Sequence, residues 1–270
     1  MHERISVNEL CFIGRTLPEL AAIWRELDTR RISFLSPTLQ RTPIDKLRAL
    51  ISTGGYRVET VPHVFMHAAL SFDEASWQHP RAQLNQLIDI AAQIGARSIY
   101  MLSGGHGALC WEDAARAFAA AIAPCAAHAC TQGIALAIEN APPQYADLHI
   151  AHTLRDTVQL AEITGLGVCA DLAGCWTEAD LHATLARAAP RCSVVQVSDY
   201  VLGDRALPSR AVPGDGVIPL QCLLGWLLDA GYDGAFDLEL LGPRIDAEGA
   251  LPAVRRAGER VGEMLRALGI

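Results

Sequence analysis

Short apolar runs rich in β-branched residues alternate along the chain with longer segments in which apolar residues recur at helical spacing. The runs predict strands at Ser6–Cys11, Arg31–Phe34, Tyr56–Pro62, Arg97–Leu102, Ile134–Glu139, Gly167–Asp171, Ser193–Ser198 and Ala235–Glu239. The segments between them predict helices at Leu17–Leu27, Pro43–Thr53, Pro80–Ile94, Trp111–Cys130, Leu154–Ile163, Glu178–Ala188, Pro219–Ala230 and Leu251–Leu268. Glycines just before several strands, as in IGARSIY, TQGIALAIEN and TGLGVCAD, mark helix ends turning into the next strand. Strand–helix alternation repeated eight times points to a parallel sheet, and eight units close into a barrel. The expected fold is therefore an α/β (β/α)8 TIM barrel. An open doubly wound sheet is disfavoured, because FIGRTLPEL after the first strand lacks a glycine-rich phosphate loop.

The length of 270 residues suits one such barrel, and no Pro/Gly/Ser linker divides it, so residues 1–270 are expected to form one domain. With 51% hydrophobic and 19% charged residues the chain has ample material for a core. The net charge of -8 and the lack of a basic stripe argue mildly against a nucleic-acid partner. No apolar stretch approaches the ~20 residues of a membrane span, and the N-terminus lacks a signal-peptide pattern. Eight scattered cysteines without zinc spacing read as reduced thiols of a cytoplasmic protein. The outer helices leave room for a homo-oligomer, with no feature that specifies one.

Candidate chemistry gathers at the ends of the last four strands. In IALAIEN, Glu139 alternates with the branched residues and so points into the barrel with Ala135 and Ala137. By the same alternation Asp171 ends GVCAD, Gln196 shares a face with Val194 and Ser198, and Glu239 shares one with Ala235 and Asp237. Three carboxylates and an amide converging on one barrel mouth would repel strongly without a cation. A divalent metal is the simple remedy, and oxygen-only ligation favours Mn2+ or Mg2+ over zinc.

These motifs resemble the xylose isomerase-like superfamily of sugar isomerases and epimerases, whose members hold one divalent metal with Glu, Asp, His and Glu from the fifth to eighth strands. The matching positions are Glu139 in AIEN, Asp171 in CADLAGCW, Gln196 in VVQVSDY and Glu239 in DLELLGP. VPGDGVIPL is similar to the family's glycine-containing segment between the seventh and eighth units. Two departures stand out. Gln196 replaces the usual His, as in hydroxypyruvate isomerase-like members, and Gly174 stands where members with Asp-x-x-His place a substrate-contacting His.

The resemblance implies a small sugar-like substrate, a ketose or keto acid, isomerised or epimerised through an enediolate. Glu139 and Glu239 would exchange the proton, while Asp171 and Gln196 mainly hold the metal. His63 and His106 are expected to bond substrate hydroxyls, Trp176 to form a pocket wall, and Arg205 and Arg210 to bind a substrate anion with their planar forks. The rival readings are a dehydratase or lyase using the same enolate, resembling the inosose or dehydroshikimate enzymes, and a non-catalytic ligand-binding barrel.

Overall fold

The computed structural model describes all of residues 1–270. Eight parallel strands close into a barrel in sequence order, with β1 (Ile5–Asn8) paired to both β2 (Arg31–Ser33) and β8 (Phe236–Leu238). Between them lie β3 (Arg57–Val64), β4 (Ser98–Leu102), β5 (Ala135–Glu139), β6 (Gly167–Asp171) and β7 (Cys192–Val197). The barrel is a single TIM-barrel domain, as the alternation predicts. The major outer helices are α1 (Leu17–Glu26), α3 (Ile44–Gly54), α4 (Glu74–Gln93), α5 (Trp111–Gln132), α6 (Leu154–Thr164), α8 (Leu181–Ala188), α9 (Leu220–Asp229) and α11 (Ala250–Ala267). Short helices α2 (Ser36–Arg41), α7 (Leu172–Cys175) and α10 (Pro243–Glu248) sit in the loops after β2, β6 and β8.

Helix α11 shows how the ring is sealed. Its Ala253, Val254, Ala257, Val261 and Leu265 recur at helical spacing, are buried, and turn to β1 and β8 at the closing seam. None of the helices is long and apolar enough to cross a membrane. All eight cysteines are unpaired.

Most boundaries shift by one or two residues; the three larger differences each have a local reason. Strand β1 stops at Asn8 rather than Cys11, because the Asn8 side chain accepts the Leu10 N–H and opens a 3-10 turn. Helix α4 begins at Glu74, six residues before the predicted Pro80; the Asp73 carboxylate caps it by accepting from Ala75 N, and Pro80 is buried inside the helix. Helix α8 begins at Leu181 rather than Glu178, since the Glu178 carboxylate instead accepts from Leu154 N (2.6 Å) at the start of α6.

Candidate active site at the barrel mouth

The strand register brings the predicted polar residues together. Asp171 on β6 lies opposite Gln196 on β7, and Gln196 lies opposite Asp237 on β8, so Glu239 follows one residue past the end of β8. Glu139 closes β5. Beneath them Tyr100, Ala137, Cys169 and Val194, one from each of β4 to β7, form a small buried cluster inside the barrel. The small side chains leave room for the Tyr100 ring to reach across the lumen, where its Oη accepts from Gln196 Nε2 at 3.0 Å.

Gln196 is the hinge of this arrangement. Its Nε2 also donates to Glu239 Oε2, which leaves the buried Oε1 without a partner. A buried amide oxygen without a protein hydrogen bond is costly, so this atom is free to accept from a water or to ligate a cation. Arg210, on the loop after β7, donates from Nη2 to Asp171 Oδ2 at 2.6 Å. Its Nε is likewise buried and unpartnered.

The electrostatics follow from crowding. Burial, reinforced by the charges of Glu239 and Asp171, pushes the Glu139 carboxyl well above the usual carboxylate range. Burial also raises Glu239 to about 7, with Arg210 opposing the rise. Burial works against the Arg210 charge, but Asp171 and Glu239 outweigh it and hold the guanidinium firmly protonated. Burial holds the Tyr100 phenol well above its ordinary value, so it keeps its proton.

A cavity of about 450 Å3 opens onto these groups, lined by Glu139, Asp171, Glu239, Arg210, Tyr100 and His63 among others. His63 lies one residue before the end of β3. Its Nδ1 lies 3.4 Å from Ser36 Oγ, its Nε2 is buried and unpartnered, and burial followed by the nearby His67 lowers its pKa to about 4. His106, Trp176 and Arg205 are not part of the lining. His106 and Arg205 are exposed on the loops after β4 and β7, and Trp176 packs beside Tyr200 with ring centres 6.4 Å apart.

Four residues not singled out in the sequence build the site's frame. Asn140 Oδ1 accepts from Asp171 N and Asn140 Nδ2 donates to Asp171 O, both at 2.9 Å, extending the β5–β6 ladder by a side chain. His149 binds Glu139 O through Nε2 (2.7 Å), and its Nδ1 accepts from Ser103 N (3.0 Å), so it ties the end of β5 to that of β4. Tyr100 supports Gln196. Asp199 accepts from the backbone N–H groups of Gly214, Gly216 and Ile218, and its own backbone pairs with Ala211, next to Arg210. The one usable sequence signal is the adjacency of Asn140 to Glu139; Asp199 lies 15 residues before Gly214.

The glycines at the mouth are explained by the same contacts. A Cβ on Gly216 would sit 2.3 Å from Asp199 Oδ1, and one on Gly174 would sit 2.8 Å from Asn140 Nδ2 and 3.2 Å from Asp171 Oδ2. Position 174 is thus filled by its neighbours, where a side chain would press on a predicted metal ligand.

The donor set fits a hard divalent cation by its chemistry: three crowded carboxylates, with Glu139 and Glu239 raised by burial and by their neighbours' charges, and an amide oxygen with no protein partner. As arranged, with Arg210 on Asp171, no three His, Cys, Asp or Glu side chains stand ready around one point. A cation taking up Asp171 must therefore compete with Arg210.

A family model described as xylose isomerase-like TIM barrel matches residues 19–261. The chain belongs to this family. Solved members of the same fold include a protein from Sinorhizobium meliloti 1021, 22% identical, covering 96% of this chain and 97% of its own with a TM-score of 0.84. The IolI protein, solved with a zinc atom, is 14% identical over 98% of this chain and 99% of its own, TM-score 0.82. An L-ribulose 3-epimerase is 18% identical over 98% of this chain and 95% of its own, also with a TM-score of 0.82. At these identities the structures share the fold. No curated protein matches the sequence.

Proposed function

We propose that this barrel is a divalent-metal-dependent isomerase or epimerase of a sugar or sugar-like ketose or keto acid. The observation that carries the reading is the pair Glu139 and Glu239, both buried with raised pKa, facing one cavity on either side of Asp171 and Gln196. The membership of the family and the zinc held by IolI support metal use. Glu139, Asp171, Gln196 Oε1 and Glu239 would hold the ion, which when bound polarises the substrate carbonyl and offsets developing negative charge.

A glutamate carboxylate beside the substrate carbon can take a proton and return it. One glutamate removes the proton from the carbon beside the carbonyl, and the C–H electron pair moves toward that carbonyl to give an enediolate. Return of a proton to the adjacent carbon is isomerisation; return to the same carbon from the opposite face is epimerisation. Arg210 and His63 line the cavity and, on this reading, bond substrate oxygens and orient the sugar. Its mouth position and reduced thiols suit a cytoplasmic enzyme of small molecules.

Incubation with a panel of ketoses and keto acids tests the reaction class by product mass. Isomerisation and epimerisation conserve mass, whereas a dehydratase or lyase product is lighter than its substrate. A lighter product would replace this reading with elimination through the same carboxylates.

A further inference from the structure

The cavity has two unlike arcs. The carboxylates and Gln196 come from β5 to β8, whereas the ends of β1 to β4 contribute Leu10, Leu35, Pro62, Val64 and Leu102, all partly exposed toward the opening. His63 interrupts this second arc, but its pKa near 4 keeps the ring neutral and Ser36 lies at its Nδ1. Partly exposed branched side chains on a cavity wall lose water when a ligand covers them, which favours apolar ligand surface there.

His67, Gln40 and Gln83 add polar edges to the lining, but no lysine or arginine stands at that end. The cavity's one Lys or Arg is Arg210, already paired with Asp171 on the carboxylate side. The chain's single lysine, Lys46, lies on α3 away from the cavity. The start of α2 also lies at this wall, yet the buried Glu9 carboxylate already accepts from Leu35 N (2.8 Å) and Thr38 Oγ1 (2.5 Å). A phosphate or carboxylate at the far end of a substrate would find no lysine or arginine in the lining and a helix start already taken by Glu9.

We infer that the substrate is an uncharged keto- or hydroxy-polyol bearing an apolar substituent, a deoxy, alkyl or aryl group, which lies against Leu10, Leu35, Pro62, Val64 and Leu102. This rests on the isomerase or epimerase reading, with the polyol end at the carboxylates, and narrows its substrate class. It separates this chain from an enzyme of fully hydroxylated or phosphorylated sugars.

Saturation-transfer NMR with the whole protein and Mg2+ tests the inference through binding alone. The probes are D-glucose, methyl β-D-glucoside and phenyl β-D-glucoside, with D-fructose against D-fructose 6-phosphate. The phenyl glucoside should bind at least about ten-fold tighter than D-glucose, with saturation strongest on the ring, and the methyl glucoside should fall between them. The phosphate should bring no gain over D-fructose. Leu35→Asn, with Leu102→Asn as a second and independent variant, should erase most of the phenyl preference while leaving D-glucose binding unchanged. Equal binding of glucose and its phenyl glucoside, or tighter binding of the phosphate, would overturn the inference. Solvent-deuterium exchange, read separately, distinguishes the two accounts: intact exchange without apolar preference removes this inference alone, and apolar preference without exchange removes the isomerase reading.

Discussion

Arg210 Nη2 reaches across 39 residues of sequence to donate to Asp171 Oδ2 at 2.6 Å, in a pocket that also holds Glu139 and Glu239. The guanidinium thus supplies internal positive charge to a cluster of carboxylates and occupies an oxygen that a metal would use. Removing it should have opposite effects on two measurements. Arg210→Met should tighten Mn2+ binding by about ten-fold in calorimetry, since about 1.4 kcal/mol of competition and repulsion disappears. The same variant should turn over substrate far more slowly if, as proposed, this guanidinium binds substrate oxygens.

Gly174 is set against the amide that holds Asp171. Gly174→Ala would place a Cβ 2.8 Å from Asn140 Nδ2, forcing the amide away from Asp171 O. The expected cost is about 1–3 kcal/mol, read as a lower thermal midpoint. Asn140→Ala should cost a similar amount by removing two buried hydrogen bonds and leaving the Asp171 backbone groups unmet. If Gly174→Ala melted as the native chain does, the packing argument for this glycine would fail.

Gly216 plays the corresponding part for Arg210. Its hydrogen would be replaced in Gly216→Ala by a Cβ 2.3 Å from both Asp199 Oδ1 and Tyr200 O. The Asp199-centred loop must then open, and the neighbouring Ala211 pairing that seats Arg210 should loosen with it. The variant should keep its barrel, by far-ultraviolet circular dichroism, and lose most of its turnover.

Burial lowers the His149 pKa to about 4, since the folded protein prefers the neutral ring between Ser103 N and Glu139 O. As pH falls from about 6.5 toward 4 the unfolded chain takes up a proton that the folded chain refuses, so this residue's contribution to stability is lost in that window. Over the whole window the loss amounts to about 3 kcal/mol. Glu239, raised to about 7, acts with the opposite sign, its burden relieved as it is protonated. The difference between native protein and His149→Gln in urea midpoints at pH 7 and pH 5 therefore isolates the histidine. The native chain should lose more stability than the variant on acidification.

Periodicity made the barrel legible, because inward and outward faces of each strand differ in side-chain size and every helix carries one apolar stripe. The four strand-end residues were legible for the same reason: Glu139, Asp171 and Gln196 fall on the inward phase of otherwise apolar strands, and Glu239 continues that phase just past β8. What alternation could not show was contact between loops distant in sequence. Asn140, His149 and Asp199 act by bonding backbone groups 31, 10 and 17 residues away. Helix starts were misplaced at α4 and α8 because one carboxylate capped early and another was spent on α6, choices that packing decides.

The central claim is proton transfer by Glu139 and Glu239 at a carbon beside a carbonyl. Its most direct measurement is NMR of ketose and keto-acid substrates incubated in deuterated water with the Mn2+- or Mg2+-supplemented protein, followed by removal of the ion. The account predicts deuterium at the carbon beside the carbonyl with an isomer of unchanged composition, both lost in Glu239→Gln while the barrel stays folded. Near-native exchange in Glu239→Gln, or substrate bound with no exchange at all, would contradict it.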